Sequence, residues 1–219
     1  IVPGVSAANP VSMSNYGSVL LSGNTTCQSE YISVTGCGGQ DSLLYYDLYY
    51  SLTEIGGQCW FADNLATDQY RNGDLITTGL TNTNWSNTSA GAYHIYANSP
   101  ANDATYGKLY NWHAVTDSRG LAPAGWHIPS NVDWSVLITY LGGETSAGKK
   151  MKTNYDWHTI DDSLGTRLSK IKLSKGTNSS GFSALPGGNR WGGNFHAIGI
   201  VGNWWSLTQE SSFNAYYCS

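Results

Sequence analysis

Cysteine, histidine and a pair of adjacent aspartates are the side chains of this 219-residue chain with the types to carry covalent, metal or acid–base chemistry. Cys27, Cys37, Cys59 and Cys218 form no Cys-x-x-Cys pair, and no histidine stands near one at the spacing of a tetrahedral zinc site. An even cysteine count among Asn, Ser, Thr and Gly reads as disulfides in an oxidising compartment. Cys27 with Cys37 would close a short loop around Gly36-Cys37-Gly38-Gly39, and Cys59 with Cys218 would tie an early strand to the last residues. The alternative leaves Cys59 and Cys218 unpaired, with Cys59 buried as a small apolar residue. His94, His113, His127, His158 and His196 are scattered outside any HExxH pattern. His127, between Trp126 and Ile128-Pro129, reads as a packed structural histidine. The sequence holds no Gly-x-Ser-x-Gly elbow, P-loop or dinucleotide fingerprint. Asp161-Asp162 with Ser163 offers clustered oxygens to a calcium ion, but a solvated turn is the simpler reading. The expectation is therefore no catalytic residue, no metal site and no cofactor, structural calcium being the single candidate.

Composition narrows the classes further. Charged residues are 12% and aromatics 13%, and eleven basic against fifteen acidic residues give a net charge of −4 with no basic block. A nucleic-acid binder would show clustered Lys and Arg, so none is expected as partner. No apolar run reaches the length of a membrane-spanning helix. A hydrophobic fraction of 40% is too high for a disordered chain. The aromatic surplus, set among Gly, Asn and Ser, is the composition of binding surfaces. Trp126, Trp134, Trp204 and Trp205 are assigned to the core. Asn189, Trp191, Asn194, His196 and Asn203 lie between glycines and are assigned to exposed loops.

The elements that must position these residues are unevenly marked. Residues 1–40 are small, polar and turn-rich. The run Leu43–Leu52 (LLYYDLYYSL) predicts one buried aromatic strand, and Cys59–Ala62 a second, short one. Residues 66–105 read as long loops carrying short strands. The clearest helix starts after Pro129: Ser130 can cap it, Asp133 can reach back to the cap amide, and Gly142-Gly143 can end it. Its apolar stripe is read as Val132, Val136, Leu137 and Tyr140, with Trp134 and Leu141 beside it. A second helix is expected near 106–116. Lys149-Lys150-Met151-Lys152 reads as an exposed basic turn. With no repeat, linker or composition break, one domain is the count, preceded by an extension over residues 1–54.

Several blocks, taken together and in order, carry a family resemblance. Gly57-Gln58-Cys59-Trp60-Phe61-Ala62-Asp63-Asn64-Leu65, Tyr106-Gly107-Lys108-Leu109-Tyr110-Asn111-Trp112 and Ala124-Gly125-Trp126-His127-Ile128-Pro129-Ser130 with Asp133-Trp134 resemble motifs of the Fibrobacter succinogenes major paralogous domain. Tyr140-Leu141-Gly142-Gly143, Gly181–Gly188 (GFSALPGG) and Gly202-Asn203-Trp204-Trp205-Ser206 continue the match, over about residues 55–219. The resemblance implies an α+β, C-type lectin-like fold of twisted antiparallel strands with one or two helices, related to the formylglycine-generating enzymes. The catalytic cysteines of those enzymes have no counterpart here, so their activity is not carried over.

Many members of this branch resemble variable proteins of diversity-generating retroelements, in which adenines of a C-terminal cassette are rewritten. Rewriting an Asn codon cannot yield Met, Trp, Lys, Gln or Glu. Asn189, Gly192, Asn194, His196, Ala197, Ile200, Val201, Asn203, Ser211, Ser212, Phe213, Tyr216 and Cys218 are all reachable and form, with Trp191, the expected ligand-binding face within about 189–218. Trp191 and Glu210 are not reachable and are read as template-encoded or not diversified. The implied function is recognition by a secreted or surface-displayed monomer, with a protein or other cell-surface macromolecule as first partner and a glycan as second. A subunit of an extracellular fibre or surface layer and a fixed glycan-binding lectin are the other readings. Two departures stand out. Family members continue into a last strand that this sequence lacks, so residues 1–54, a partner or further residues would have to fill its place. Cys218 sits in a slot usually held by another residue, which weakens its pairing with Cys59.

Overall fold

The computed structural model describes residues 37–158 and 176–209, and the backbone of Val5–Ser6 and of Ala215–Cys218. The elements are strands β1 (Val5–Ser6), β2 (Ser42–Tyr45), β3 (Leu48–Ile55) and β4 (Gln58–Phe61), helix α1 (Asn82–Asn87), β5 (Tyr93–His94), α2 (Pro100–Tyr106), β6 (Leu109–Tyr110) and α3 (Trp112–Val115). They continue with β7 (Trp126–His127), α4 (Asn131–Tyr140), α5 (Glu144–Met151), β8 (Asn189–Trp191), β9 (Asn194–His196), β10 (Trp204–Gln209) and β11 (Ala215–Cys218). The fold is mixed α+β. One five-stranded sheet has the order β2-β3-β4-β1-β7, and three two-stranded ribbons pair β5 with β6, β8 with β9 and β10 with β11. All these named strand pairs are antiparallel.

The sheet divides two apolar cores. Every residue of β4 is buried, and successive side chains of a strand point to opposite faces. Trp60 enters one core against Trp134 and Phe182, with ring centroids 5.0 and 5.8 Å away. Its neighbour Phe61 enters the other, stacked on Tyr50 at 4.8 Å and tilted against Trp126 at 4.4 Å. Leu109-Tyr110 of β6 is split in the same way, and Trp204-Trp205 of β10 sends Trp204 into the first core while Trp205 packs against the second.

The run expected as one strand is a hairpin. Ser42–Tyr45 pairs with Leu48–Ser51 across a two-residue connection in which Tyr46 takes a φ of 51°. Turn formation at Tyr46-Asp47 carries none of the glycine that usually marks a left-handed position. Only Tyr45 and Tyr50 of this hairpin tip are buried, and Tyr49 points outward. The segment expected as a helix near 106–116 is cut by β6, with α2 before it and α3 after it, so the short helices outnumber the expected one or two.

Helix α4 begins as expected. The Ser130 hydroxyl accepts from the Asp133 amide at 3.3 Å, and the Asp133 carboxylate accepts from the Ser130 amide at 2.7 Å. Its buried face differs from the expected stripe. Trp134, Leu137 and Leu141 are buried, with Ile138 packed beside them, whereas Val132, Val136 and Tyr140 are exposed. Both sets have helical spacing, and the contact with Trp60 decides which turns inward. Lys149, Lys150 and Met151 belong to α5, not to a turn. Met151 is buried, and the Lys152 ammonium lies 4.4 Å above the Trp157 ring.

One disulfide joins Cys37 to Cys59, Cα atoms 4.9 Å apart. It corrects both expected pairings: Cys37 is not bonded to Cys27, nor Cys59 to Cys218. The physical reason is register. β2, β3 and β4 are successive neighbours of one sheet, and Cys37 just before β2 reaches Cys59 of β4 from its edge, whereas Cys218 lies in β11 of a separate ribbon, opposite Trp204. Cys27 lies outside the described residues. Ala215–Cys218 forms β11, which pairs with β10. Val5 of the N-terminal extension sits between Trp60 of β4 and His127 of β7.

Two outcomes test this packing. Leu137→Ala should cost about 2–5 kcal/mol and Val136→Ala no more than about 0.5 kcal/mol, read by denaturant unfolding. Peptide mapping without reductant should recover Cys37 linked to Cys59, and Cys37→Ser should lose about 3 kcal/mol, as expected for closing a loop of 22 residues.

Candidate functional site

The β8–β9 hairpin leans on α1. Gly193, in the turn, has a φ of 81°, and a Cβ there would meet the Asn82 carbonyl oxygen at 2.5 Å, so this approach requires glycine. Asn82 at the start of α1 donates from Nδ2 to Asn194 Oδ1 at 2.9 Å. Arg190, on β8, reaches the same point. Its Nε donates to the Gly193 carbonyl at 3.0 Å, and its Nη2 to the Leu80 carbonyl at 3.3 Å and to Asn82 Oδ1 at 3.2 Å. The guanidinium carbon lies 4.6 Å from the Trp85 ring centre and 4.8 Å from that of Phe195. Nη1 is buried and has no hydrogen-bond partner.

Beside this contact opens a cleft of about 310 Å³, lined by Trp85, Leu109, Tyr110, Gly188, Asn189, Arg190, Trp191, Asn203 and Trp205. That is the size and character of a small-molecule or side-chain site: aromatic and aliphatic walls with a few placed polar groups. The floor is held from behind. Trp205 Nε1 donates to the Tyr110 carbonyl at 2.8 Å, and the Trp205 and Trp112 rings are 5.6 Å apart. Gly188, at φ 68°, lies so close to the His196 carbonyl and to Tyr96 that a side chain there would collide. At the rim, Trp191 is 78% exposed.

The electrostatics of the cleft are one-sided. Its lining includes one cation and no carboxylate. Among the described ion pairs none involves Arg190, and burial pushes its guanidinium below the ordinary value. His94 stands behind, its ring 5.2 Å from that of Trp85 and 6.0 Å from that of Phe195. Burial pushes the imidazole below its ordinary 6.5, and the Arg190 charge lowers it further.

The Fibrobacter succinogenes major domain family matches the chain over residues 53–219. The chain belongs to that family. No curated protein and no solved structure matches it. This Fibrobacter succinogenes major domain thus begins within β3 and contains every residue of the cleft.

Of the residues expected on its binding face, Asn189, Trp191 and Asn203 converge on the cleft. Gly192 is in the exposed hairpin turn, and Asn194 is held by Asn82. His196 is exposed, with its ring 6.4 Å from that of Trp191. Ala197, Ile200 and Val201 form the following loop, where the Val201 carbonyl accepts from the Gly188 amide at 2.8 Å. Tyr216 and Cys218 lie on β11, and Ser211, Ser212 and Phe213 are outside the described residues. Asp161, Asp162 and Ser163 are outside them too, and among the described residues no cluster could hold a metal ion.

Sequence reasoning missed Arg190, Trp85, Leu109 and Tyr110. Arg190 did leave a signal, being the only Lys or Arg after Lys175. Trp85 left none, because it comes from α1, about a hundred residues before Arg190 in the chain.

A Ser, an Asp and a His do meet elsewhere. The Asp133 carboxylate accepts from the Ser130 hydroxyl at 2.7 Å and lies 3.0 Å from His127 Nε2, with Gln58 Nε2 donating to it at 3.3 Å. Burial opposes its charge, yet the hydrogen bonds from Ser130 and His127 hold it below the usual carboxylate range. Ser130 donates to the carboxylate instead of to the imidazole, which is the geometry of a cap, not of an activated nucleophile.

The depressed His94 value has a stability consequence. The folded state favours the neutral ring, so this contribution is complete above pH 6.5 and declines as the pH falls below it. Melting temperature should fall between pH 7 and 5, and His94→Gln should flatten that slope while lowering stability at pH 7.

Proposed function

We propose that this domain is a secreted or surface-displayed recognition protein that binds its ligand, without catalysis, in the cleft between α1 and the β8–β9 hairpin, on a scaffold of the C-type lectin type. The observation that carries this reading is the cleft itself. Residues from two remote parts of the chain enclose aromatic faces, two amides and a guanidinium, a composition suited to recognition.

The same arrangement supports diversification by a retroelement. Asn189, Asn194, His196 and Asn203 are half or fully exposed, so their replacement leaves the packing alone. Trp204 and Trp205 are framework: Trp204 is buried and donates to Asn64 Oδ1 at 3.0 Å. The oxidising environment implied by the Cys37–Cys59 bond agrees with an extracellular location, and among the described residues no helix is long and apolar enough to cross a membrane.

A fibre subunit is the second reading, favoured by one observation: a short terminal strand, Val5–Ser6, fills the sheet between β4 and β7, as a donated strand would. Filaments in electron micrographs of the purified chain would select it.

Sequencing the codons for 189–219 across the source population should show substitutions at Asn189, Asn194, His196 and Asn203 confined to adenines, with Trp204 and Trp205 constant. An invariant segment removes diversification and leaves a fixed binder. Labelled protein bound to intact cells should lose at least tenfold in binding on Trp191→Ala, with the melting temperature shifted by no more than about 1 °C, since an exposed surface side chain carries little stability. Undiminished binding overturns the cleft as the site.

A further inference from the structure

Arg190 poses a problem of charge. It is the cation of an aromatic cleft, it makes no ion pair among the described residues, and its Nη1 is buried without an acceptor. Nε and Nη2 are occupied by neutral oxygens of Gly193, Leu80 and Asn82. A half-buried cation compensated only by carbonyl and amide dipoles and ring faces is unfavourable, and an incoming anion relieves that cost where the surroundings screen charge less than bulk water does. The other wall groups specify the rest of the ligand. Trp191 offers an open ring face at the rim. The Asn189 and Asn203 amides can each donate and accept, as neighbouring hydroxyls require.

Building on the cleft as the binding site, we propose that its ligand is an acidic glycan, and that one carboxylated sugar residue sits with its apolar face on the tryptophans, its hydroxyls on Asn189 and Asn203 and its carboxylate toward Arg190. Nη1 is enclosed and the other guanidinium nitrogens already donate to protein oxygens, so the carboxylate acts on Arg190 as a nearby opposite charge and sets the preference while the rings supply contact area. A neutral sugar would leave the Arg190 charge unanswered.

The experiment uses the full chain on an array of glycans bearing hexuronate or other carboxylated sugar residues, each beside its methyl ester and its neutral counterpart, with binding constants then measured by calorimetry. The acid form should bind at least tenfold more tightly than its ester, and that advantage should shrink as ionic strength rises. Trp191→Ala should abolish binding of the acid form with the melting temperature unchanged. Arg190→Gln should equalise acid and ester, and Arg190→Lys, which keeps the charge if the glutamine variant fails to fold, should retain the preference.

Equal binding of acid and ester overturns the carboxylate assignment while leaving the cleft in place. Binding of N-acetyl-tryptophan in competition with cells, with no glycan bound, overturns the glycan class in favour of a peptide carboxylate. An array on which no carboxylated glycan binds overturns the proposal. Cell binding that survives Trp191→Ala removes the cleft reading as well.

Discussion

The structure depends on one constraint, the alternation of side chains along short strands that run between two cores. Trp60-Phe61, Leu109-Tyr110 and Trp204-Trp205 each place two large neighbours on opposite sides. A shift of one residue in any of these strands would exchange their destinations and put a ring of the wrong size into each core. The pairs therefore fix register in a protein whose strands are too short to fix it by backbone hydrogen bonds alone. They also explain an aromatic fraction of 13%: strands of three separate sheets each present side chains to two packed cores.

The cleft inherits its rigidity from that arrangement. Trp205 is both the partner of the second core and a wall of the cleft, and it is tied to β6 by its indole nitrogen. Leu109 and Tyr110 line the cleft from the same strand. On the other side, Arg190 and Gly193 hold the hairpin against α1 through carbonyl and amide groups. The contacts that hold β8 and β9 run through the backbone, through glycine, through Arg190 and through the bond between Asn82 and Asn194.

Much of the framework was legible because it is written in local chemistry. Ser130 and Asp133 announce the start of α4, and Gly142-Gly143 its end, since caps act over three or four residues. The blocks around Cys59, Leu109, Trp126 and Trp204 are dense enough to identify the family, and that match covers residues 53–219. Three cleft residues, Asn189, Trp191 and Asn203, could be picked out because glycines flank them, although Asn189 and Trp191 lie on β8 and not in the loop that was expected.

Other features had no local signature. Which face of α4 turns inward depended on where Trp60 stands, because both of its stripes are apolar. The partner of Cys59 depended on the folding back of three strands, which places Cys37 beside it and Cys218 elsewhere. The hairpin at Tyr46-Asp47 interrupts what reads as one continuous aromatic strand. Trp85 joined the site only because Arg190, about a hundred residues later, stacks on it. By itself the sequence determined the family, the α+β class, the capped helix and the tryptophan framework, all encoded by neighbours in the chain. Tertiary structure alone decided disulfide pairing, helix orientation and the membership of the cleft, because each is a contact between segments whose separation the local pattern does not record.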